Sequence, residues 1–187
     1  MRSLILAGAM ATTVVLPLAA FAAPVTINQL PPRNGGLLDV GSFGAGSGAL
    51  PIANSGYGHG VSPDVYWTAG PEGARSYVVL MEDDAPAGGP LLLWALFNLP
   101  DTVTNVPEDT AWDADPPGLK FGANSAGGVD YLPPKPAAGA AHRYHLEVFA
   151  LDTVLPLAEG APRADLVKAM GGHVIASGET IATFKAP

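Results

Sequence analysis

Short apolar runs separated by turn-forming residues set the pattern of the chain from position 76 onward. Ser76 to Met81 is apolar and β-branched, and the polar run Glu82 to Pro86 is expected to stop it. A second run, Leu91 to Leu99, follows a Gly-Gly-Pro turn and is ended by Pro100. Because so short a connection joins neighbouring strands most easily, the pattern predicts two antiparallel strands.

Two further strands and one helix are predicted in the C-terminal part. His142 to Leu151 alternates, which places Tyr144, Leu146, Val148 and Ala150 on one face and Arg143, His145, Glu147 and Phe149 on the other. Pro162 to Met170 is typical of a short helix, since proline precedes it and two glycines follow it. His173 to Phe184 returns to strand. These elements predict an antiparallel β-sandwich or a β-rich α+β domain.

Composition narrows the class of protein. The 187 residues include 23 glycines and 19 prolines, which excludes long helical bundles because both residues interrupt helices. With 48% hydrophobic and only 14% charged residues, the chain is not intrinsically disordered. A net charge of −8 without a basic cluster argues against nucleic-acid binding. The chain has no cysteine, so disulfides, thiolate metal sites and a cysteine nucleophile are excluded.

Met1 to Ala22 has the layout of a secretory signal. Arg2 supplies the positive end, an apolar stretch follows, and Ala20-Phe21-Ala22 is a small-residue cleavage site. An uncleaved membrane anchor is the alternative, but the apolar stretch is short for a span of about 20 residues. We therefore expect a cleaved signal at 1–22, a single domain at 23–187, a periplasmic or secreted location, and no stable membrane insertion after cleavage.

Polar candidates gather at the strand ends. Glu82, Asp83, Asp84 and Pro86 follow the first strand, Leu93 and Trp94 begin the second, and His142, Arg143 and Tyr144 begin the third. If the third strand is antiparallel to the first, these segments open onto one edge of the sheet and line a small-ligand pocket.

Each candidate also has a purely structural interpretation. The aspartates could be turn formers, His142 a surface histidine and Tyr144 a core residue. Arg143 could pair with an acidic neighbour on the opposite face instead of contacting a ligand. His145 and His173 are expected to be structural or solvent-facing.

Two known enzyme motifs are absent. The sequence has neither a G-x-S-x-G elbow nor an H-E-x-x-H zinc motif. His142 and His145 are three apart on a strand, so they face opposite sides and cannot share a metal. We expect no catalytic residues, no metal and no cofactor.

Several motifs in order resemble the phosphatidylethanolamine-binding protein family, specifically its bacterial Raf-kinase-inhibitor-like (YbhB/YbcL-type) branch. The similarity extends over roughly Asn54 to Phe184. It rests on Ser62-Pro63-Asp64-Val65-Tyr66-Trp67, Pro71-Glu72-Gly73, Glu82 to Pro86, Trp94 to Pro100, Gly122 to Ser125, His142-Arg143-Tyr144, Phe149 to Asp152 and Gly172 to Ser177.

The resemblance implies a β-sandwich, with one or two short helices and long Gly/Pro-rich loops, whose small pocket accepts phosphate, other small anions or phospholipid head groups. It assigns the acidic motif to Asp83-Asp84-Ala85-Pro86, the second motif to His142, Arg143 and Tyr144, and another wall to Tyr131-Leu132-Pro133-Pro134. Glu82, Arg143 and Trp94 would support these residues.

Two departures from the family pattern affect this assignment. The proline between the two aspartates is missing, so the matching of Asp83 and Asp84 is ambiguous. Leu93 replaces a second pocket histidine, which removes a hydrogen-bond donor to an oxyanion.

Two functions follow from the resemblance. The first is a periplasmic, non-enzymatic binding protein for an anionic or zwitterionic head group. The alternative is a protein-interaction module, or a protease or kinase inhibitor, with a vestigial pocket.

Overall fold

Ten strands form two sheets in the part of the chain that the computed structural model describes, residues 24–42, 48–86, 88–110 and 116–187. The predicted signal at 1–22 lies outside these residues. The strands are β1 (Gly36–Leu37), β2 (Val40–Ser42), β3 (Val65–Trp67), β4 (Ser76–Asp83), β5 (Leu91–Pro100), β6 (Asn105–Val106), β7 (Lys120–Ala123), β8 (Ala141–Leu151), β9 (Ala161–Pro162) and β10 (Val174–Lys185). The helices are α1 (Thr26–Gln29) and α2 (Arg163–Met170), and Ile52–Asn54 forms a 3₁₀ turn.

The large sheet has the strand order β1-β10-β8-β4-β5-β7-β9. Strand β4 is antiparallel to both β5 and β8, as the sequence predicts, and β8 is antiparallel to β10. Only the short outer strands β1 and β9 pair in parallel within the described sheet. A small second sheet has the order β2-β3-β6. The predicted mainly β fold with short helices is therefore confirmed.

The two faces of the large sheet are both buried, each against a different layer. One face packs against the small sheet, where Trp67 is buried with Val79 and Val148. The opposite face packs against α2, which contributes Leu166 and Met170. The predicted alternation of β8 holds, and its second face is also buried from His145 onward, since α2 and the N-terminal segment cover it.

Strand β4 continues two residues beyond the predicted stop at Met81. Glu82 and Asp83 remain in the ladder, opposite Leu92 and Leu91 of β5. Polar side chains are tolerated in a buried strand when they find partners. Glu82 receives a hydrogen bond from Arg163 at 2.6 Å, and Asp83 lies 2.8 Å from His142.

The helix α2 is confirmed at its predicted position. Pro162 precedes its first residue, where the missing N–H costs nothing. Gly172 follows it with a φ of 79°, a left-handed conformation that glycine adopts without strain.

Asn98 interrupts β5 with a φ of 61°. Its side-chain amide is nearly buried and forms two hydrogen bonds with the backbone of Leu155, one from Nδ2 to the carbonyl at 3.0 Å and one from the Leu155 N–H to Oδ1 at 2.8 Å. The residue therefore fastens the loop after β8 to the middle of the sheet.

No helix in the described ranges is long and apolar enough to cross a membrane.

Candidate functional site

The end of β4 and the start of β8 bring Asp83 and His142 together. Asp83 is paired with Tyr144 in the ladder, and His142 lies two residues earlier on the same face of β8. Oδ2 of Asp83 is 2.8 Å from Nδ1 of His142, while Oδ1 accepts the Ala85 N–H at 3.0 Å. The His142 side chain is 24% exposed and that of Asp83 is 8% exposed. The pair thus leaves Nε2 of His142 as the free ring nitrogen at a partly open edge.

Tyr144 lies beneath this pair with a hydroxyl that has no hydrogen-bond partner within the described residues. The residue is fully buried, and its ring stacks near that of His142, with centroids 6.3 Å apart. Burial raises the pKa of Tyr144 well above its usual range, and the nearby Asp83 raises it further. The phenol is therefore a neutral donor that the protein leaves unused, which is uncommon for a buried polar group.

The predicted walls of this site are partly assembled around Leu93. Leu93 is 4% exposed and belongs to the core cluster that contains Tyr144. Its carbonyl accepts the Leu132 N–H at 2.9 Å, which brings the half-buried Pro133 to this part of the fold. Pro86 follows the Asp83 turn and is also half-buried.

Asp84 does not join this group, which corrects the expectation of one rim pocket lined by both aspartates. It contacts Arg143, and its Oδ2 lies 3.2 Å from Nε2 of His145, on the opposite face of the sheet. Consecutive residues in extended backbone point to opposite sides, and β4 remains extended to Asp83. Burial raises the pKa of Asp84, but the hydrogen bonds from His145 and Arg143 outweigh it and leave the pKa lowered. Arg143 thus pairs with an acidic neighbour.

Glu82 joins three elements on that opposite face. The carboxylate is fully buried and accepts the Thr26 N–H at 2.7 Å and the Thr26 hydroxyl at 2.8 Å. Arg163 of α2 donates to the same carboxylate. Glu82 therefore connects α1, β4 and α2 and is a structural residue in this fold.

Glu147 and Glu179 also face this side, and the sequence analysis did not single them out. Nδ1 of His145 is 2.7 Å from Glu179. Glu147 is fully buried, and its Oε2 accepts the Ile27 N–H at 3.2 Å, while Oε1 has no partner within the described ranges. Burial raises the pKa of Glu147 well above its usual range, with Glu82 adding to the effect. The sequence signal that could have identified this group is the i, i+2 spacing of His145 and Glu147 on a predicted strand, which places both side chains on one face.

Two cavities flank the sheet edge, and neither is lined by His142. One, of about 270 Å³, lies on the Asp84 side. The other, of about 320 Å³, lies beside Trp94, which the sequence placed next to the predicted pocket and which is 2% exposed. The ring of Tyr131 packs edge to face against that of Trp94, with the ring centroids 5.9 Å apart. The first cavity is lined by Pro24, Val25, Asn28, Asp84, Gly89, Pro90, Arg143 and His145.

The sequence family can be established from comparison with known proteins. The family model described as phosphatidylethanolamine-binding protein matches residues 31–185. The chain belongs to the phosphatidylethanolamine-binding protein family. This confirms the resemblance found in the sequence motifs.

Relatives of this phosphatidylethanolamine-binding protein family member occur in bacteria and archaea. A UPF0098 protein of Chlamydia muridarum is 36% identical over 141 residues, covering 73% of this chain and 90% of the relative. A UPF0098 protein of Methanothermobacter thermautotrophicus is 33% identical over 140 residues, covering 74% of this chain and 91% of the relative.

Solved structures of family members have the same fold. A Chlamydia trachomatis protein described as a phosphatidylethanolamine-binding protein homolog aligns with a TM-score of 0.71 and 33% identity, over 81% of this chain and 99% of that one. E. coli YbcL, described as a new member of the mammalian PEBP family, aligns with a TM-score of 0.73 and 28% identity. The alignment covers 80% of this chain and 99% of YbcL.

Proposed function

We propose that this chain is an exported, non-enzymatic binding protein that holds the phosphate of a small anionic or zwitterionic molecule, such as a phospholipid head group, at Asp83, His142 and Tyr144. The observation that carries the proposal is the Asp83–His142 pair at a partly open edge of the sheet, above the buried Tyr144 hydroxyl, which has no partner in the described part of the protein. A ligand oxygen would complete the hydrogen bonding of this group. The layout of Met1 to Ala22 supports export.

The three side chains have complementary tasks in this proposal. Asp83 accepts a hydrogen bond from Nδ1–H of His142, which fixes the ring so that Nε2 is the atom directed at the phosphate. The Tyr144 hydroxyl donates a second hydrogen bond from below. Asp83 also places a carboxylate near the ligand, which favours an ammonium group on the same molecule over a bare anion. Phosphoethanolamine combines both groups.

The same geometry favours binding over catalysis. The Tyr144 phenol stays protonated because burial raises its pKa, so it is a donor and not a nucleophile.

Calorimetric titration with phosphoethanolamine and with inorganic phosphate tests the proposal. We expect the wild type to bind phosphoethanolamine more tightly than phosphate and His142→Gln to lose at least about tenfold in affinity, as expected for a lost charge-assisted hydrogen bond. His173→Gln is the matched control, because His173 contacts Asp152 through Nδ1 at the same 2.8 Å, away from this site. Equal binding by His142→Gln and wild type would refute the assignment of the site.

Leu93 favours a second candidate function, a protein-interaction module or inhibitor that does not depend on a bound anion. Leu93 packs in the core where the family pattern has a histidine, so the site has one imidazole fewer. A protein partner that binds wild type and His142→Gln equally, together with no heat from either small ligand, would support this candidate over the first.

A further inference from the structure

Acidic side chains gather on the face of the large sheet opposite His142. Glu147 stands out because it is fully buried, and its Oε1 has no hydrogen-bond partner among the described residues. A buried carboxyl oxygen without a hydrogen-bond partner is costly, and a bound cation would offset that cost. Each of the other three acids contacts a basic side chain: Glu82 with Arg163, Asp84 with Arg143, and Glu179 with His145.

Three of the groups on this face could hold a metal ion. His145, Glu147 and Glu179 each offer one ligand atom, and these atoms lie within 4.8 Å of one another. Ligands of a tetrahedral zinc ion, at about 2.0–2.2 Å from the metal, are about 3.4 Å apart, so small side-chain rotations suffice to close the set. The backbone need not move, because all three residues stand on the paired strands β8 and β10.

The strand register explains why these side chains meet. His145 and Glu147 are two residues apart on β8 and therefore share a face. Glu179 of β10 is directly opposite Glu147 in the ladder. The central part of a paired sheet is rigid, which suits a site whose ligands must keep a fixed geometry.

We propose that His145, Glu147 and Glu179 form a binding site for a transition-metal dication, with zinc as the ion to test. One imidazole nitrogen and two carboxylate oxygens suit zinc or manganese, whereas calcium and magnesium prefer all-oxygen sites. Three protein ligands leave a fourth position open to water or to an anion.

Asp84 completes the arrangement from behind the histidine. Nδ1 of His145 faces Glu179 at 2.7 Å, and Nε2 lies 3.2 Å from Asp84. With a metal bound at Nδ1, Nε2–H donates to Asp84. Such a carboxylate–histidine–metal chain orients the ring and strengthens it as a ligand. His145 and Asp84 also line the cavity of about 270 Å³, which lies on the Nε2 side of the ring.

Zinc titration by calorimetry into the full chain, freed of metal with a chelator, tests the site. We expect one zinc ion per chain, a raised Tm, and a loss of about 100-fold or more in affinity for Glu147→Gln and Glu179→Gln, which remove ligands but keep the shape of the side chains. Asp84→Asn should lose about 10- to 100-fold, as for other outer partners of a metal-bound histidine. Cobalt gives a second measurement, since its visible absorption reports the coordination geometry and should disappear in Glu179→Gln.

Two control variants separate this site from other metal binding and from the proposed head-group site. His173→Gln removes an exposed histidine–carboxylate pair and should bind zinc as wild type does. His142→Gln alters the opposite face and should also bind zinc normally, even where it loses phosphoethanolamine. The proposal is overturned if the wild type fails to bind zinc, if Glu147→Gln binds it unchanged, or if His173→Gln abolishes binding.

Discussion

Leu93 limits how many donors the proposed head-group site can offer. Its side chain is 4% exposed and packs in the same cluster as Tyr144. A leucine at this position favours the core, since it buries apolar area without a polar atom to satisfy. The proposed site therefore depends on His142 and Tyr144 as its donors.

Replacing this leucine by histidine should strengthen anion binding and weaken the fold. Leu93→His adds a donor beside the site, and one hydrogen bond to a charged group is worth about 1.5–3 kcal/mol, or roughly 10- to 100-fold in affinity for phosphoethanolamine. Burying the imidazole should cost about 1–3 kcal/mol in the free energy of unfolding. Calorimetry and urea denaturation measure the two effects. Leu93→Met keeps the volume without a donor, and a gain in affinity there would contradict the explanation.

The sequence predicted the partners on one face of the sheet better than those on the other. Asp83 and His142 were placed together because strand direction brings the end of β4 beside the start of β8, and the structure joins them. The sequence analysis assigned Asp84 to the same pocket because it follows the same strand end and belongs to the acidic motif, whereas the extended backbone of β4 separates the two aspartates. The partners of Glu147 depend on the β8–β10 register, which no local pattern specifies.

At the scale of elements, Asn98 shows how one side chain fixes a loop against a strand. Its side-chain amide supplies hydrogen-bond partners for the backbone N–H and carbonyl of Leu155. The residue does so with a left-handed φ of 61°. Asparagine is among the residues that tolerate this conformation. The motif Trp94 to Pro100, which helped to identify the family, therefore also stabilises the fold by holding the loop at Leu155.

Two substitutions at this position separate the hydrogen bonds from the backbone conformation. Asn98→Ala should lower the free energy of unfolding by about 3 kcal/mol or more, because it leaves the Leu155 N–H and carbonyl buried without partners. Asn98→Gly loses the same bonds but should be about 1 kcal/mol less costly, since glycine adopts a positive φ without strain. Chemical denaturation of both variants gives the comparison. If alanine is as stable as glycine here, backbone strain makes no contribution.

Element boundaries were predicted well where proline and glycine mark them and poorly where polar side chains find distant partners. The limits of α2 follow from Pro162 and the glycines after Met170. The extension of β4 through Glu82 follows from Arg163, which is 81 residues away in the chain. A local sequence pattern cannot predict a contact between residues so far apart in the chain.

At the scale of the whole molecule, Asp152 ties together segments that are far apart in the chain. Its carboxylate contacts His173 at 2.8 Å and Arg33. It thus connects the N-terminal segment, the end of β8 and the turn before β10 at the surface. The hydrogen bond from His173 lowers the pKa of Asp152; burial opposes this, and Arg33 adds to the lowering.

This lowered pKa gives a prediction for acid stability. The ionised Asp152 stabilises the fold at pH values above its unfolded pKa, near 3.8, and that contribution is lost as the pH falls through the lower folded pKa. Asp152→Asn should therefore be less stable than wild type at neutral pH, with the difference shrinking below about pH 4. Thermal unfolding across pH 2–7 measures it, with the exposed Asp101→Asn as control. A difference that stays constant down to the lowest pH would contradict the assignment to Asp152.

The adjacency of Asp83 and Asp84 has a consequence for how this protein can change. The family motif separates its aspartates by a proline, a spacing that in extended backbone would keep both carboxylates on one side. Removing that spacer divides one acidic motif between two chemically independent environments. A substitution near His142 and one near His145 then need not compensate for each other, so each face is free to acquire its own ligand while the other is retained. Reinserting a residue between the two aspartates would return both carboxylates to one side of the sheet and leave His145 without its Asp84 partner.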